Sequence, residues 1–147
     1  MNTINLQIVT IEKKIFDEKV DSISLPTPMG EIGILPNHVP LVTSLTEGEI
    51  KIEKGKEISN LTCTGGFAQI QPNKVIVLTD AAEHAEDIDV KRAEAAKKKA
   101  EETMKKAGIK KPEYGVAAAA LRRSLIRIQV ARKVRGTKRI IRPESEN

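Results

Sequence analysis

Polar and hydrophobic residues alternate along the first half of the chain. Ile4, Leu6 and Ile8 are separated by single polar residues, which is the spacing of a strand buried on one face. Further short runs, alternating or β-branched and divided by turn-forming residues, occupy positions 22–25, 50–53, 56–58, 61–64, 67–71 and 75–78. No helical period lies between them, so the pattern predicts an antiparallel β-sandwich domain over residues 1–86.

The period changes at Asp87, where apolar residues begin to recur every three or four positions. The pattern predicts one helix that ends at Gly108 and another that opens at Pro112 and ends near Gly136. Their apolar stripes are Ala93, Ala96, Ala100, Met104 and Ala107, and then Ala117, Leu121, Leu125, Ile128 and Ala131. The short connection predicts an antiparallel helical hairpin over residues 87–136, with a flexible basic tail over residues 137–147.

The stripe of the first helix is mostly alanine, which limits how tightly it can bind a partner. A buried methyl group contributes about 0.8 kcal/mol, so about five alanines stabilise a contact by only a few kcal/mol. A contact this weak can be released and formed again, which predicts a movable hairpin. The alternative from the same residues is a permanent hairpin with solvated charged faces.

The charge is divided unevenly between the two halves. Residues 1–86 carry 7 Lys and Arg against 12 Asp and Glu, whereas residues 87–147 carry 18 against 8. Such asymmetry indicates two units with different partners. A basic hairpin is compatible with a nucleic-acid-binding module, which is the alternative to a protein partner. Acidic residues among the basic ones and only three aromatic residues in the chain argue against it.

The residue types that carry catalysis and metal binding are scarce. No G-x-x-x-x-G-K-S/T phosphate loop occurs, and the only histidines are His38 and His84. Cys63, the single cysteine, lies between threonines in a predicted strand, where it is expected to be a small core residue. We therefore expect no metal site and no enzymatic activity. The absence of a signal peptide and of a long apolar run leads us to expect an intracellular, soluble chain.

Three segments carry a resemblance to a known family. They are PMGEIGILPNHVPL at 28–41, GGFAQI at 65–70 and DAAEHAEDID at 80–89. In the first, glycines permit unusual backbone angles and prolines fix φ, as expected for a rigid surface loop. Together, in register over residues 4–135, they resemble the epsilon subunits of bacterial F-type ATP synthases. Gln69 departs from the acidic residue usual there.

The resemblance implies a non-catalytic subunit of the rotor, peripheral on the cytoplasmic face of the bacterial plasma membrane. The sandwich would touch the gamma subunit and the ring of c subunits, coupling ring rotation to ATP synthesis, with Glu31 and His38 in that contact. The hairpin would either fold or extend into the head of alpha and beta subunits and block hydrolysis. The resemblance implies no nucleic acid partner and membrane contact only through the complex.

A further motif, IDVKRA at residues 88–93, resembles the I/L-D-x-x-R-A pattern of epsilon subunits that bind ATP. No cofactor is required, but the resemblance implies a regulatory ATP. The candidate nucleotide-binding residues are Ile88, Asp89, Arg92, Ala93 and Arg122. Ile126 and Lys99 stand where ATP-binding relatives often have arginine. The alternative is that Asp89 caps the helix and Arg92 is solvated.

Overall fold

The computed structural model describes residues 2–141, and it describes side chains for residues 2–135. The strands are β1 (Ile4–Val9), β2 (Lys14–Val20), β3 (Ser22–Thr27), β4 (Gly30–Ile34), β5 (Leu41–Lys54), β6 (Glu57–Ile70), β7 (Lys74–Thr79) and β8 (Ala82–His84). A 3₁₀ turn (Ala85–Asp87) and the helices α1 (Val90–Ala107) and α2 (Pro112–Ile141) follow. The chain divides into two compact units, one ending at His84 and one beginning at Ala85.

The first unit is a β-sandwich, which confirms the predicted fold class. Its strands are hydrogen-bonded in the order β2-β1-β7-β6-β5-β3-β4, and β8 pairs with β6. Every pairing is antiparallel except that of β1 with β7, which is parallel and brings residues 5–9 beside residues 74–78. An ion pair of 2.7 Å joins Lys54 of β5 to Glu18 of β2, although these strands are not neighbours in the sheet. The sheet therefore folds over on itself and brings them together.

The hairpin of β5 and β6 is longer and more continuous than the sequence pattern predicts. Both strands have 14 residues, although the pattern predicted only a short run at 50–53 for β5 and divided β6 into pieces, with a break at Gly65 and Gly66. These glycines have φ angles of 108° and 135°, so the strand bends there without losing its partners. A Cβ on Gly66 would overlap the carbonyl oxygen of Leu78, so this position needs glycine. β6 pairs with β7 beyond the bend and with β8 before it.

The sandwich encloses an aliphatic core. Its members come from strands β1 to β7, and Cys63 is among them, as expected of a small core thiol. The fully buried large side chains of this unit include Ile4, Leu6, Ile8, Val20, Ile23, Leu25, Ile34, Ile50, Ile52, Leu61 and Ile70. Burying one such side chain contributes about 1.5–3 kcal/mol, so the sheet is a rigid support for whatever its surface carries.

The second unit is the helical hairpin, in which α1 packs on α2. α1 ends at Gly108, whose φ of 75° suits glycine and whose N–H donates to Met104. α2 continues to Ile141, past the end predicted near Gly136, because one glycine inside a helix costs only about 1 kcal/mol. Residues 137–141 of the predicted flexible tail are thus helical, and residues 142–147 lie outside the described residues.

The burial of the helices is opposite to the predicted stripes at four positions. Ala96 and Leu125 are exposed, whereas Val130 and Ser124 are buried, and the Ser124 hydroxyl donates to the carbonyl oxygen of Ala120 at 2.9 Å. The buried small residues of α1, Ala93 and Ala100, are seven positions apart. In α2 they are Ala117, Ser124 and Ala131, again seven apart. A seven-residue period keeps one narrow seam facing the neighbouring helix, as in coiled coils.

Within the described residues, neither helix combines the length and the hydropathy that crossing a membrane requires.

Candidate docking surfaces and hairpin site

The outer face of the sandwich exposes large apolar side chains. Phe67 of β6 lies directly opposite Leu78 of β7, and their side chains are 61% and 54% exposed. Val42 of β5, opposite Gln69, lies diagonally across from Phe67 and is 71% exposed. We call Val42, Phe67 and Leu78 the outer apolar patch. Clustered exposed apolar side chains on a rigid sheet are typical of a binding surface.

The sequence pattern did not identify the outer apolar patch. In β7, for example, Val75 and Val77 are buried while Leu78 is exposed, although all three belong to one apolar run. The period of two assigns alternate residues to opposite faces, but it does not show which face is inside when both are apolar. The sequence does contain one indication of the patch: β7 is apolar on both faces, whereas a strand with one face in water would have polar residues on that face.

The loop that follows β4 is fixed by backbone hydrogen bonds. The N–H of Asn37 donates to the carbonyl of Pro72 at 2.8 Å, and Asn37 has a φ of 65°, which asparagine tolerates. The N–H of His38 donates to Leu35 at 3.2 Å and closes a turn. Leu35 and Val39 remain 63% and 71% exposed on this loop. A tethered loop with exposed apolar side chains presents a defined shape to a partner.

Both candidate interface residues lie in this segment. Glu31 is exposed on β4, opposite Pro26 of β3. His38 is half-buried, and its Nδ1 lies 2.7 Å from the carbonyl oxygen of Val39. Because a carbonyl oxygen only accepts, Nδ1 carries the hydrogen and Nε2 is the nitrogen left for other partners. The structure therefore presents one carboxylate and one imidazole nitrogen from the same segment.

The candidate nucleotide site is at the start of α1. Asp89 is the N-cap: its Oδ1 accepts from the backbone N–H of Arg92 at 3.2 Å. The Arg92 side chain is exposed, whereas Ala93 and Ile88 are buried. The capping role that the sequence left open is thus realised, and it occupies one of the two carboxylate oxygens.

One ion pair and one hydrogen bond to a backbone carbonyl fix the register between the two helices. Arg132 of α2 forms an ion pair with Glu94 of α1 at 2.6 Å, and Arg135 donates to the carbonyl oxygen of Ile88 at 3.4 Å. Arg122 precedes Arg132 by ten residues, which is about 15 Å along a helix. The structure therefore brings Arg132 and Arg135, rather than Arg122, to the start of α1. Neither arginine could be placed there from the sequence, because the register between two helices leaves no signal in the spacing of either one.

An open groove of about 710 Å³ runs along the hairpin. Leu125 and Ile128 provide its apolar side chains, and charges of both signs surround them. The remaining lining residues are Glu94, Lys97, Lys98, Glu101, Gln129 and Arg132. Within the part of the chain that the structure describes, no group of three or more His, Cys, Asp or Glu is arranged to hold a metal ion.

The shifted pKa values lie on the sandwich, on β2 and β5. A hydrogen bond from Lys14 lowers the pKa of Asp17, assisted by one from Gln7. The hydrogen bond with Lys51, and then its positive charge, lower the pKa of Glu53. The same bond raises the pKa of Lys51. Asp17 is exposed, and Lys51 and Glu53 are half-buried with their side chains in reach of solvent, so salt will weaken their interactions.

Both units match families of known proteins. Residues 3–85 match the family described as "ATP synthase, Delta/Epsilon chain, beta-sandwich domain", and residues 86–132 match "ATP synthase, Delta/Epsilon chain, long alpha-helix domain". The chain is 43% identical over 135 residues to the ATP synthase epsilon chain of Dehalococcoides mccartyi strain CBDB1, covering 92% of this chain and 96% of that one. It is 39% identical over 131 residues to that of Halalkalibacterium halodurans, covering 89% and 98%.

Solved structures share the fold. One is a chain of the Euglena gracilis mitochondrial ATP synthase, with a TM-score of 0.68 and 23% identity over 94% of this chain and 82% of that one. Another comes from the central stalk and c-ring of the Tetrahymena thermophila mitochondrial ATP synthase, with a TM-score of 0.55 and 18% identity over 89% and 95%.

Proposed function

The chain belongs to the family of ATP synthase epsilon chains, and from this premise we propose that it is a non-catalytic subunit of the central stalk. In this role it couples rotation of the membrane ring to ATP synthesis, as a peripheral part of the complex on the cytoplasmic face of a bacterial plasma membrane. The resemblance that its motifs predicted is confirmed, and the nucleic-acid-binding alternative is not supported.

The outer apolar patch is the observation that carries the proposed docking. Phe67 and Leu78 expose more than half of their surface on a sheet whose inner face is fully packed, so a partner can cover them without rearranging the core. We assign this patch to the gamma subunit. The segment formed by β4 and the following loop, with Glu31 and His38, is assigned to the ring of c subunits. Contact with the catalytic alpha and beta subunits is assigned to the hairpin.

The docking assignment is tested by substituting Phe67 with serine. Its partner surface would lose an aromatic anchor, and such losses typically cost 2 kcal/mol or more, about 30-fold in affinity. The matched control is Ile58→Ser, because Ile58 lies on the same strand as Phe67 and is 56% exposed. Affinity for a purified complex of gamma with the catalytic head should fall for the Phe67 variant and stay unchanged for the control. Equal affinities would contradict the assignment.

The hairpin is proposed to act as a brake on ATP hydrolysis. Its second helix is basic and can meet an acidic surface, and four of the seven described residues buried in the two helices are alanine, which limits the free energy that holds α2 on α1. The test compares hydrolysis by the catalytic head carrying either the full chain or a chain that ends at Glu86. Faster hydrolysis with the shortened chain supports the brake. Equal rates, with both chains bound in equal amounts, contradict it.

A regulatory ATP is proposed at the start of α1, with Arg92 as its phosphate ligand. The support is the exposed guanidinium of Arg92 beside the cap, in a region where Arg135 adds positive charge and Arg132 is paired with Glu94. Calorimetric titration of the full chain with ATP should show weaker binding for Arg92→Ala than for Arg122→Ala. The reverse order would place the phosphates further along the hairpin. If the unsubstituted chain gave no heat of binding with ATP, the proposal would be wrong.

A further inference from the structure

The two ends of the hairpin are held closed in different ways. At the turn, the chain itself connects α1 to α2, and the N–H of Lys111 donates to the carbonyl oxygen of Gly108 at 3.3 Å. At the opposite end, where α1 begins, no segment of the chain joins the two helices. Only noncovalent contacts hold α2 there, so this is the end from which α2 can leave α1.

Two arginines of α2 make contacts at this end. The guanidinium of Arg132 forms an ion pair of 2.6 Å with Glu94 of α1, and the guanidinium of Arg135 donates to the carbonyl oxygen of Ile88 at 3.4 Å. α2 also packs on the 3₁₀ turn that precedes α1. The contacts therefore join α2 both to α1 and to the segment that leads into it.

The carbonyl group of Ile88 is available to Arg135 because α1 does not use it. The hydrogen bonds within α1 begin one residue later, where the N–H of Ala93 donates to the carbonyl oxygen of Asp89 at 3.0 Å. Ile88 itself is only 2% exposed, so its carbonyl group has little access to water. An acceptor in such a place is costly to leave without a partner, and Arg135 supplies one.

The large buried side chains of the hairpin lie towards the same end. Ile88 precedes α1, and Ile128 and Val130 lie within four residues of Arg132. In the middle of the hairpin and towards the turn, the buried apolar residues are Ala100 and Ala117. Once the end near Ile88 has separated, small residues alone remain to hold the helices together. A half-open hairpin therefore has little stability.

We propose that Arg132 and Arg135 form a latch that keeps the hairpin closed, and that releasing the latch opens the whole hairpin in one step. An 18-residue helix is of marginal stability alone in water, so α1 loses its hydrogen bonds when α2 leaves. The inference stands on contacts within the hairpin. It does not depend on the hairpin acting as a brake or on the binding of ATP.

Amide hydrogen exchange in the full chain measures how often the hairpin opens. Arg135→Gln leaves the carbonyl oxygen of Ile88 without its charged partner, which should speed up exchange of the α1 amides about 5-fold. Adding Arg132→Gln should bring the increase to about 10-fold, since an exposed ion pair contributes little. The matched control is Arg123→Gln, the same substitution at an exposed position of the same helix, and it should leave exchange almost unchanged.

Charge reversal tests the ion pair separately from the packing around it. Glu94→Arg and Arg132→Glu each place like charges opposite one another, so each variant alone should speed up exchange in α1. Combining the two restores opposite charges, and exchange should return close to the rate of the unsubstituted chain. Loss of packing alone would make the two effects add instead.

Three results would overturn the proposal. Equal exchange in Arg135→Gln and Arg123→Gln would show that the bond to Ile88 does not hold the hairpin closed. Faster exchange confined to the last turns of α2, with the α1 amides unchanged, would show that the arginines only prevent fraying. Additive charge reversals would remove Arg132 from the latch. The hydrolysis comparison with the shortened chain tests the brake independently, so either idea can fail while the other stands.

Discussion

Replacing Ala100 with leucine should separate the two helices of the hairpin. Ala100 is 5% exposed in the middle of α1, which packs on α2. Leucine adds three carbon atoms where the seam has small residues, and overpacking of this kind costs about 1–3 kcal/mol. The four buried alanines of the seam contribute only about 3 kcal/mol together, at about 0.8 kcal/mol for each methyl group, and the buried Ile128 and Val130 of α2 add about 1.5–3 kcal/mol each. The added strain therefore offsets a substantial part of the packing that holds the hairpin closed.

Amide hydrogen exchange measures the opening. Because 18 residues is a marginal length for a helix alone in water, separated α1 should lose its hydrogen bonds and exchange. A cost of 1–3 kcal/mol raises the open population about 5- to 150-fold, and exchange in α1 should speed up by the same factor. If the hairpin is a brake, hydrolysis by the catalytic head carrying Ala100→Leu should change as well, because the helices separate more readily.

Ala96→Leu is the matched control. It makes the same substitution in the same helix, but Ala96 is exposed, so we expect no change in exchange apart from a small gain or loss in helix propensity. Exchange that speeds up as much in Ala96→Leu as in Ala100→Leu would refute the reasoning. That result would show that Ala96 also lies in the seam, as the three-and-four spacing read from the sequence predicts, and that the seven-residue period does not describe it.

Three further outcomes are expected from urea unfolding. Gly66→Ala should lower the free energy of unfolding by roughly 3 kcal/mol, since its φ of 135° strains alanine and the new Cβ meets the Leu78 carbonyl. Gly115→Ala, in α2 with open space around it, should instead stabilise the hairpin by up to about 1 kcal/mol. Folding lowers the pKa values of Asp17 and Glu53, so their ionised carboxylates stabilise the sandwich at pH values above the ordinary pKa values of 3.8 and 4.5. That contribution is lost as pH falls through the lowered pKa values, so Asp17→Asn with Glu53→Gln should show a shallower acid dependence, and salt should shrink the difference.

The elements with a clear period were predictable from the sequence, and those governed by distant contacts were not. The alternation at Ile4, Leu6 and Ile8 and the helix end at Gly108 follow from local rules, and the structure has them where the pattern places them. The parallel pairing of β1 with β7 depends on residues far apart in sequence. The continuity of β6 through Gly65 depends on partners on both sides, because local punctuation by two glycines predicts a break.

The site shows the same division. Asp89 as a helix cap is a local feature, and the sequence offered it as one of two alternatives. The contacts of Arg132 and Arg135 with the start of α1 depend on the register between two helices, which a shift of one turn would abolish. The outer apolar patch depends on which face of a doubly apolar strand is covered. Helix register and the covered face of a strand are both set by tertiary packing, and the periodicity of a single segment does not predict them.

The parallel pair of β1 and β7 has a consequence for biosynthesis. β1 can pair with β2 on one edge soon after both have left the ribosome, but its other edge stays open until Lys74–Thr79 has been made. During that interval the growing chain has an unpaired strand with apolar residues on it, a risk for association between nascent chains. Closure also requires a loop that spans nearly the whole domain, which slows folding. We therefore expect the sandwich to become resistant to proteases only after Thr79 has emerged, late in its own synthesis.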